Sequence, residues 1–290
     1  MRSQYAHTAE EIRREIEELL SGIGLLFRVF ARGKNPTSLT KKLTQEPGKY
    51  AIGGKLIQDV IGVRVALYFP DDIPIVKSIL ESKFKLNSAA STIDTPGSDQ
   101  FSVTRYNLVF QLPIEAAENL IRGSKGAPID ATFEVQLRSI LSEGWHEVEH
   151  DLRYKAKEDW SGHEDLSRVL NGIVAILETS EWSMGKLFDE LAFRHYKAKN
   201  WNAMLPSLLR MRLRGPISEE IAVVLSANTA AAKELSRIDR AKLLKNFSRT
   251  KPKIPVTSDN VIFLWNSTGP RYECLTSITP LVVIEAAAAL

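Results

Sequence analysis

The chain has 290 residues and a net charge of +3, with 44% hydrophobic, 25% charged and 8% aromatic residues. At about 150 residues per domain this length predicts about two domains, and the composition excludes collagen-like, coiled-coil and wholly disordered chains. The single cysteine, Cys274, excludes an internal disulfide and a cysteine-rich zinc site. No apolar run reaches the ~18 residues of a transmembrane helix, and the first residues carry glutamates instead of an apolar signal segment. We therefore expect a cytoplasmic protein without a membrane partner.

The chain opens with a predicted helix and a basic loop. Thr8 and Glu11 have the spacing of a capping box at a helix start. The apolar stripe that follows has helical spacing and comprises Ile12, Ile16, Leu19, Leu20 and Ile23. A basic loop is predicted over 31–38, where Pro36 suits the first turn of a short helix. That helix carries Ser38, Lys41, Lys42 and Leu43.

The residue patterns of three segments in the middle of the chain predict strands. Residues 60–69 are rich in β-branched and aromatic side chains and are followed by Pro70, which is typical of a strand. Residues 105–112 and 132–138 alternate apolar and polar side chains, which predicts two half-buried strands. Between them we predict a helix over 71–81 and a loop over 87–100.

The second half of the chain is predicted to be mainly helical. Helical patterns cover 139–154 and 166–196, shorter helices extend to about residue 247, and a Lys/Pro-rich linker follows at 250–255. Short terminal strands are predicted at 261–265 and 281–284, and residues 287–290 resemble a cloning scar. The fold class is therefore α+β with a helical C-terminal extension. We expect one domain over 1–160 and a helical, basic region over 161–286.

Charge is distributed unevenly along the chain. Residues 191–255 contain 14 Lys/Arg against 4 Asp/Glu, a local charge of +10. This asymmetry is typical of a segment that contacts a polyanion such as RNA, and also of a solvated helix face.

The strand over 132–138 presents a polar face. Because side chains alternate along a strand, Glu134, Gln136 and Arg138 project together while their neighbours enter the core. A carboxylate beside a guanidinium on a rigid surface suits a metal-bound anionic substrate. The same pattern also fits a solvated sheet face with an ion pair.

A second carboxylate and a group of cations could complete such a site. Asp59 stands just before the strand at 60–69, and two converging carboxylates with substrate phosphates are the ligands that Mg²⁺ needs. Upstream, cations and a hydroxyl surround a helix start, where phosphate binding is favoured. These residues are Arg32, Lys34, Ser38 and Lys42.

A competing motif lies in the predicted helix over 139–154. His146 and His150 flank Glu147 and Glu149 in a string that satisfies H-E-x-x-H. Histidines four residues apart share a helix face and could hold zinc, with one of the glutamates as general base. A third ligand could come from Glu164 or Glu178. The alternative is a surface helix whose histidine meets an acidic neighbour.

Four blocks of residues, in a fixed order, resemble the synthetase domain of RelA/SpoT alarmone synthetases over about residues 10–160. They are the Arg-Gly-Lys-Asn-Pro-Thr-Ser stretch at 32–38 with Lys42, the segment from Asp59 to Arg64, the Phe-Glu-Val-Gln-Leu-Arg run at 133–138, and Trp145, His150, Asp151, Tyr154 and Lys155. The family has a Trp-containing helix ending in His-Asp-x-x-Tyr-Lys, which accounts for the histidine string. The resemblance implies a mixed sheet flanked by helices, of nucleotidyltransferase-like fold.

The resemblance implies an activity and a role for each matched residue. The family transfers the β,γ-pyrophosphate of ATP to the 3′-hydroxyl of GDP or GTP. Asp59 and Glu134 would hold Mg²⁺, and Glu134 would also help deprotonate the hydroxyl. Gln136 and Arg138 would orient Glu134 or the phosphates, whereas Arg64 is either a site residue or a structural ion-pair partner. The ATP phosphates would be held by Arg32, Lys34 and Lys42, with Ser38 supporting that loop.

The acceptor motif departs from the family. Members carry a Phe-Gly-Tyr-Arg-Ser-x-His run whose tyrosine stacks on guanine, but here Val103 replaces the tyrosine and Asn107 the histidine. An aromatic platform contributes about 1–3 kcal/mol per base, so guanine binding should be weakened. Phe101 or Tyr106 could substitute if the register shifts. The acceptor is therefore left open.

Three functions follow as alternatives. The first is an Mg²⁺-dependent pyrophosphotransferase acting on ATP and a nucleotide acceptor. The second is a toxin or defence factor that modifies an RNA 3′ end such as tRNA, with the basic 191–255 region as RNA contact. The third is a silent nucleotide-binding relative, while the zinc metalloprotease is a remote fourth. We expect neither the family's hydrolase domain nor its regulatory domains, and short members of the family often form homo-oligomers.

Overall fold

The computed structural model describes residues 4–45, 48–94, 105–124 and 126–290 and divides into two compact units. The first, here called the sheet unit, comprises Met1–Glu17 and Phe27–Glu181. The second, the helical unit, comprises Glu18–Leu26 and Trp182–Leu290.

A five-stranded mixed sheet forms the centre of the sheet unit. Its spatial order is β1-β2-β5-β4-β3, with β2 and β5 parallel and the other neighbours antiparallel. The strands are β1 (Phe27–Gly33), β2 (Ile61–Leu67), β3 (Thr92–Asp94), β4 (Arg105–Gln111) and β5 (Thr132–Ser139). The strands predicted at 60–69, 105–112 and 132–138 are confirmed.

Helices flank this sheet. They are α1 (Gln4–Ser21), α2 (Pro36–Gln45), α3 (Ile73–Lys83), α4 (Ile114–Gly123) and α5 (Ile140–Glu149). Helix α6 (Glu164–Lys197) begins in the sheet unit, and its residues from Trp182 onward belong to the helical unit. A π-helical turn, His150–Tyr154, follows α5, and a 3-10 turn, Lys157–Trp160, comes next. The helices predicted at 71–81 and 166–196 are confirmed as α3 and α6. The predicted α+β class with a helical C-terminal extension is also confirmed.

One face of the central strands forms the core. Phe133, Val135 and Leu137 of β5 are fully buried, and Phe133 stacks against Phe110 of β4 with ring centroids 5.6 Å apart. Because successive strand residues alternate between faces, the even-numbered residues of β5 lie on the opposite, polar face. The core therefore fixes the orientation of Glu134 and Gln136.

Two predictions for the N-terminal region are wrong. Helix α1 begins at Gln4, so Thr8 lies within it, buried, and does not start it. The predicted basic loop at 31–38 is wrong over its first residues, because Ala31, Arg32 and Gly33 belong to β1, whereas the helix start predicted at Pro36 is confirmed by α2. A side chain on Gly33 would collide with the backbone of Tyr5, so glycine is needed where the strand passes the start of α1.

The helical unit contains the remaining helices. They are α7 (Trp201–Leu209), α8 (Glu219–Ala227), α9 (Thr229–Leu235), α10 (Arg240–Arg249), α11 (Ser258–Thr268), α12 (Glu273–Thr276) and α13 (Leu281–Ala288). Side chains of Asn200, Asn228, Asp239 and Thr257 cap four of them by accepting backbone hydrogen bonds. The predicted terminal strands at 261–265 and 281–284 are wrong, since both segments are helical. No helix in the described part of the chain has the length and apolar character needed to cross a membrane.

Candidate active site

A pocket of about 440 Å³ opens on the polar face of the sheet unit. It is lined by strands β1, β2 and β5 and by the turn that links β1 to α2. Six of the residues predicted for the site line it: Arg32, Lys34, Asp59, Arg64, Glu134 and Gln136. Small-molecule sites typically have volumes of about 300–1,000 Å³, so the pocket is large enough for a nucleotide.

Strand pairing explains how Arg32 and Glu134 come to line one pocket. Arg32 of β1 pairs with Gly62 of β2, and Gly62 pairs with Glu134 of β5. Neighbouring strands lie about 4.8 Å apart, so the Cα atoms of Arg32 and Glu134 are separated by about 10 Å. Gly62 contributes no side chain between them, which leaves the floor of the pocket open.

The antiparallel pairing of β1 and β2 also brings Lys34 to Asp59. Gly33 pairs with Ile61, so the residues just beyond these strand ends are neighbours. The backbone N–H of Lys34 donates to the carbonyl of Val60 at 2.7 Å. The Lys34 ammonium then reaches Asp59 Oδ2 at 2.7 Å.

Asp59 is bound by two lysines. Lys42 of α2 donates to both carboxylate oxygens of Asp59 at 3.0 Å and lies 5.3 Å from the centre of the Tyr50 ring. Burial raises the pKa of the Asp59 carboxyl, but the hydrogen bonds from Lys34 and Lys42 outweigh it and lower that pKa below its usual value. Asp59 is therefore an anion held against the cations predicted to bind phosphates.

Glu134 has a different environment. Its Oε1 accepts a hydrogen bond from Gln136 Nε2 at 3.1 Å, and no salt bridge to it occurs in the described residues. The Gln136 carbonyl oxygen in turn accepts from Arg64 Nε and Arg138 Nη2, each at 3.3 Å. Two arginines thus hold the Gln136 side chain in place, and Gln136 in turn holds the Glu134 carboxylate. That Gln136 and Arg138 orient Glu134 or the phosphates stays a prediction.

Helix α5 supplies the counter-charges for these arginines. Glu143 accepts from Arg64 Nη1 at 2.6 Å and from Arg138 Nη1 at 3.0 Å, and Glu147 also pairs with Arg64. Arg64 is therefore both a pocket residue and a structural ion-pair partner. Neither Glu143 nor a role of Glu147 in this network was predicted, because the helical pattern alone does not show which strand the helix faces.

Several predicted site residues lie outside the pocket lining. Lys42 contributes through Asp59, and Arg138 is buried at 3% exposure behind Gln136. Tyr106 and Asn107 lie on β4, paired with Leu137 and Gln136 of β5. Phe101, Val103 and the Ser38 side chain lie outside the described residues.

The histidine string does not form a metal centre in this structure. His146 and His150 stack with ring centroids 6.5 Å apart, Glu147 pairs with Arg64, and Glu149 pairs with Arg153 at 3.2 Å. Within 4–45, 48–94, 105–124 and 126–290, no group of three or more His, Cys, Asp or Glu side chains is suited to a metal ion. The zinc metalloprotease alternative thus has no structural support.

Residues 31–159 match the region found in RelA / SpoT proteins. This part of the chain is a RelA/SpoT region. It contains all the residues that line the pocket except Phe30. The resemblance identified from the four sequence blocks is confirmed.

Individual proteins are also similar to the chain. The GTP pyrophosphokinase YjbM of Bacillus subtilis (strain 168) is 27% identical over 99 residues, which are 34% of this chain and 43% of that protein. The alignment thus spans less than half of the relative. The crystal structure of small alarmone synthetase 1 from Bacillus subtilis matches with a TM-score of 0.47 at 20% identity, covering 63% of this chain and 92% of that one. The structure of smu.1046c from Streptococcus mutans UA159 matches with a TM-score of 0.49 at 18% identity, covering 65% and 92%.

Proposed function

We propose that the RelA/SpoT region is an Mg²⁺-dependent pyrophosphotransferase that moves the β,γ-pyrophosphate of ATP to the 3′-hydroxyl of a nucleotide. The observation that carries the proposal is that Asp59 and Glu134, from different strands, line one pocket together with Arg32 and Lys34. Carboxylates and cations in one cleft are what a magnesium-bound triphosphate requires.

The donor set fits magnesium. Mg²⁺ is usually bound through one or two carboxylates and substrate phosphates, without a complete protein cage. Asp59 and Glu134 supply two carboxylates, and no third acidic or histidine ligand is needed. When bound, the ion neutralises charge on the phosphates and stabilises the charge that develops during transfer.

Binding of ATP would exchange ion pairs in the pocket. In the structure Lys34 and Lys42 are bound to Asp59. The triphosphate would take over these lysines and Arg32, and the released Asp59 carboxylate would turn to the metal. Because each cation exchanges one anion for another, the site can bind a highly charged substrate without leaving buried charges unpaired.

Glu134 would then act on the acceptor. Its carboxylate, fixed by Gln136, would accept the proton of the 3′-hydroxyl as the oxygen attacks the β-phosphorus of ATP. The bond between the β-phosphorus and the oxygen bridging to the α-phosphorus breaks, and AMP leaves with the electron pair. Most of the rate enhancement would come from holding these groups in line within a cationic site.

The test is incubation of the purified protein with ATP, Mg²⁺ and a panel of acceptors, including nucleoside mono-, di- and triphosphates and tRNA. AMP should form in step with a pyrophosphorylated acceptor. Absence of AMP with every acceptor, or AMP formation that continues without an acceptor, would contradict the proposal.

An RNA acceptor is the second candidate, and the basic residues of the helical unit favour it. Most of the 14 basic residues at 191–255 are exposed there. Contacts with RNA phosphates release counterions, so tRNA binding should weaken steeply with salt concentration. Modification of tRNA in the panel would select this candidate over a free nucleotide.

Gly62 offers a direct test of the pocket. An added Cβ would meet Arg32 Cγ at 3.9 Å and Nε at 4.0 Å, which are ordinary contacts. Gly62→Val should therefore fold normally, while its side chain occupies the space between Arg32 and Glu134. We expect the KM for ATP to rise about tenfold or more, measured by AMP formation, with an unchanged melting temperature. Gly54→Val, in an exposed turn, is the matched control; equal kinetics for the two variants would contradict this placement of ATP.

A further inference from the structure

A second cavity lies within the helical unit. Its volume is about 340 Å³, and its lining comes from the end of α9, the first turns of α10 and the end of α11. All of the lining residues fall within 234–270, outside the RelA/SpoT region. The volume is near the lower end of the range for small-molecule sites, about 300–1,000 Å³. This α10–α11 cavity is therefore large enough for one small ligand.

Part of the lining of the α10–α11 cavity is apolar and aromatic. Leu243 and Trp265 are buried, at 3% and 9% exposure, and Ile238 and Pro270 join them in the lining. The ring of Trp265 is supported by that of Tyr272, with the two centroids 6.3 Å apart. A rigid aromatic side chain in a cavity offers a surface on which a flat ring can stack. The lining therefore favours a ligand that contains such a ring.

The lining also includes polar groups that the protein leaves without partners. Three other tryptophans donate their indole N–H to acceptors at 2.7–3.2 Å: Trp145, Trp160 and Trp201. The N–H of the buried Trp265 has no acceptor in the described part of the chain. Asn246 donates through Nδ2 to Thr268 Oγ1 at 3.1 Å, while its Oδ1 accepts from no described residue. Because a buried indole N–H usually finds a partner, one donor and one acceptor are available to a ligand.

The charged groups at the cavity are unequally satisfied. Asp239 Oδ1 accepts from the backbone N–H of Lys242 at 2.9 Å and so caps α10. Glu234 Oε2 accepts from the Tyr272 hydroxyl at 2.6 Å. The side chains of Arg237 and Lys242 are exposed and form no salt bridge or hydrogen bond within the residues that the structure describes. Since both carboxylates are engaged and both cations are not, the remaining binding capacity suits an anionic group such as phosphate.

We propose that the α10–α11 cavity binds a nucleotide, with its base against Trp265 and its phosphate on Arg237 and Lys242. A nucleotide matches three features of the lining, because it has a flat base, donors and acceptors on the base edge and sugar, and a negative charge. Asp239 already occupies the N-terminus of α10, so side chains and not the helix end hold the phosphate. The site belongs to the helical unit and does not depend on the transfer activity proposed for the sheet unit.

Fluorine NMR of the whole protein labelled with fluorotryptophan locates the ligand. The chain has five tryptophans, and the signal that is lost in Trp265→Phe identifies Trp265. The common nucleoside 5′-monophosphates, the matching nucleosides and a short single-stranded RNA are titrated in separately. We expect at least one nucleotide to shift the Trp265 signal in a saturable way. Comparison of the monophosphates with the RNA shows whether the nucleotide is free or part of RNA.

Substitution of the two cations tests the position of the phosphate. Arg237→Gln and Lys242→Gln should each weaken nucleotide binding about tenfold, because each removes a charge-assisted hydrogen bond. Both side chains are exposed, so the variants should fold as wild type does. Binding of the matching nucleoside, which lacks the phosphate, should not change. Lys233→Gln is the matched control, since it removes an exposed cation of α9 outside the cavity lining, and it should bind as wild type does.

Three results would overturn the proposal. One is that no nucleotide, free or in RNA, shifts the Trp265 signal. Another is that a folded variant with both Arg237→Gln and Lys242→Gln keeps wild-type affinity. The third is that Gly62→Val, which fills the pocket of the sheet unit, abolishes the shift, because the nucleotide would then bind in that pocket.

Discussion

Glu134→Gln is expected to lower kcat by about 10²–10⁴-fold, because the amide can neither accept the hydroxyl proton nor supply an anionic metal ligand. The fold should be unaffected, since Glu134 lies on the polar face of β5 and, within the described residues, forms one side-chain hydrogen bond, from Gln136. The measurement is AMP formation under saturating ATP and acceptor, together with a thermal melt.

The control is Glu118→Gln, which makes the same change on the exposed face of α4. It should retain wild-type turnover. A Glu134→Gln variant that keeps more than about a tenth of wild-type kcat would show that the carboxylate is not the base, and the assignment of Glu134 would be wrong.

Glu143→Ala is expected to destabilise the sheet unit by about 3–5 kcal/mol, the usual cost of leaving a buried ion-pair partner uncompensated. The Glu143 side chain is 11% exposed and bonds both Arg64 and Arg138, and the Arg138 side chain is 3% exposed. Without Glu143, the Arg138 guanidinium would retain, among the residues that the structure describes, the bond to Gln136 alone. The free energy of unfolding from urea titration, followed by tryptophan fluorescence, measures the loss.

Glu118→Ala serves as the reference, because an exposed helix residue should change the stability by less than about 0.5 kcal/mol. A cost below about 1 kcal/mol for Glu143→Ala would mean that the network contributes no more than surface salt bridges do. Gln136, and with it Glu134, would then lack the rigid support described above.

The polar face of the sheet could be predicted because strand alternation is a local property. Phe133, Val135 and Leu137 are apolar and buried, which determines that Glu134 and Gln136 face the other way. Strand order, by contrast, depends on pairing between distant segments. The register of β1, β2 and β5 places Gly62 between Arg32 and Glu134. The residue pattern of a single sequence does not reveal this register.

Strand β1 was missed because it is an edge strand with a weak pattern. Phe30 is 56% exposed although it is apolar, so the alternation that identifies half-buried strands is interrupted. The terminal strands were predicted wrongly because their apolar residues form a continuous run. Residues 261–265 are all buried, and a short, continuous apolar run does not distinguish a strand from a buried helix.

The partners of the charged residues were the least predictable feature. The sequence placed Lys34, Lys42 and Asp59 in one site as phosphate and metal ligands, and in the structure they bind one another. The ion-pair network of α5 depends on the position of a helix over the sheet, which local patterns do not specify.

A crystal structure of the protein with Mn²⁺ and a non-hydrolysable ATP analogue tests the central claim most directly, because the anomalous signal of manganese locates the metal. We predict one metal peak between the carboxylates of Asp59 and Glu134, with the triphosphate bound to Arg32, Lys34 and Lys42. A metal bound away from either carboxylate, or a triphosphate bound outside this pocket, would contradict the account.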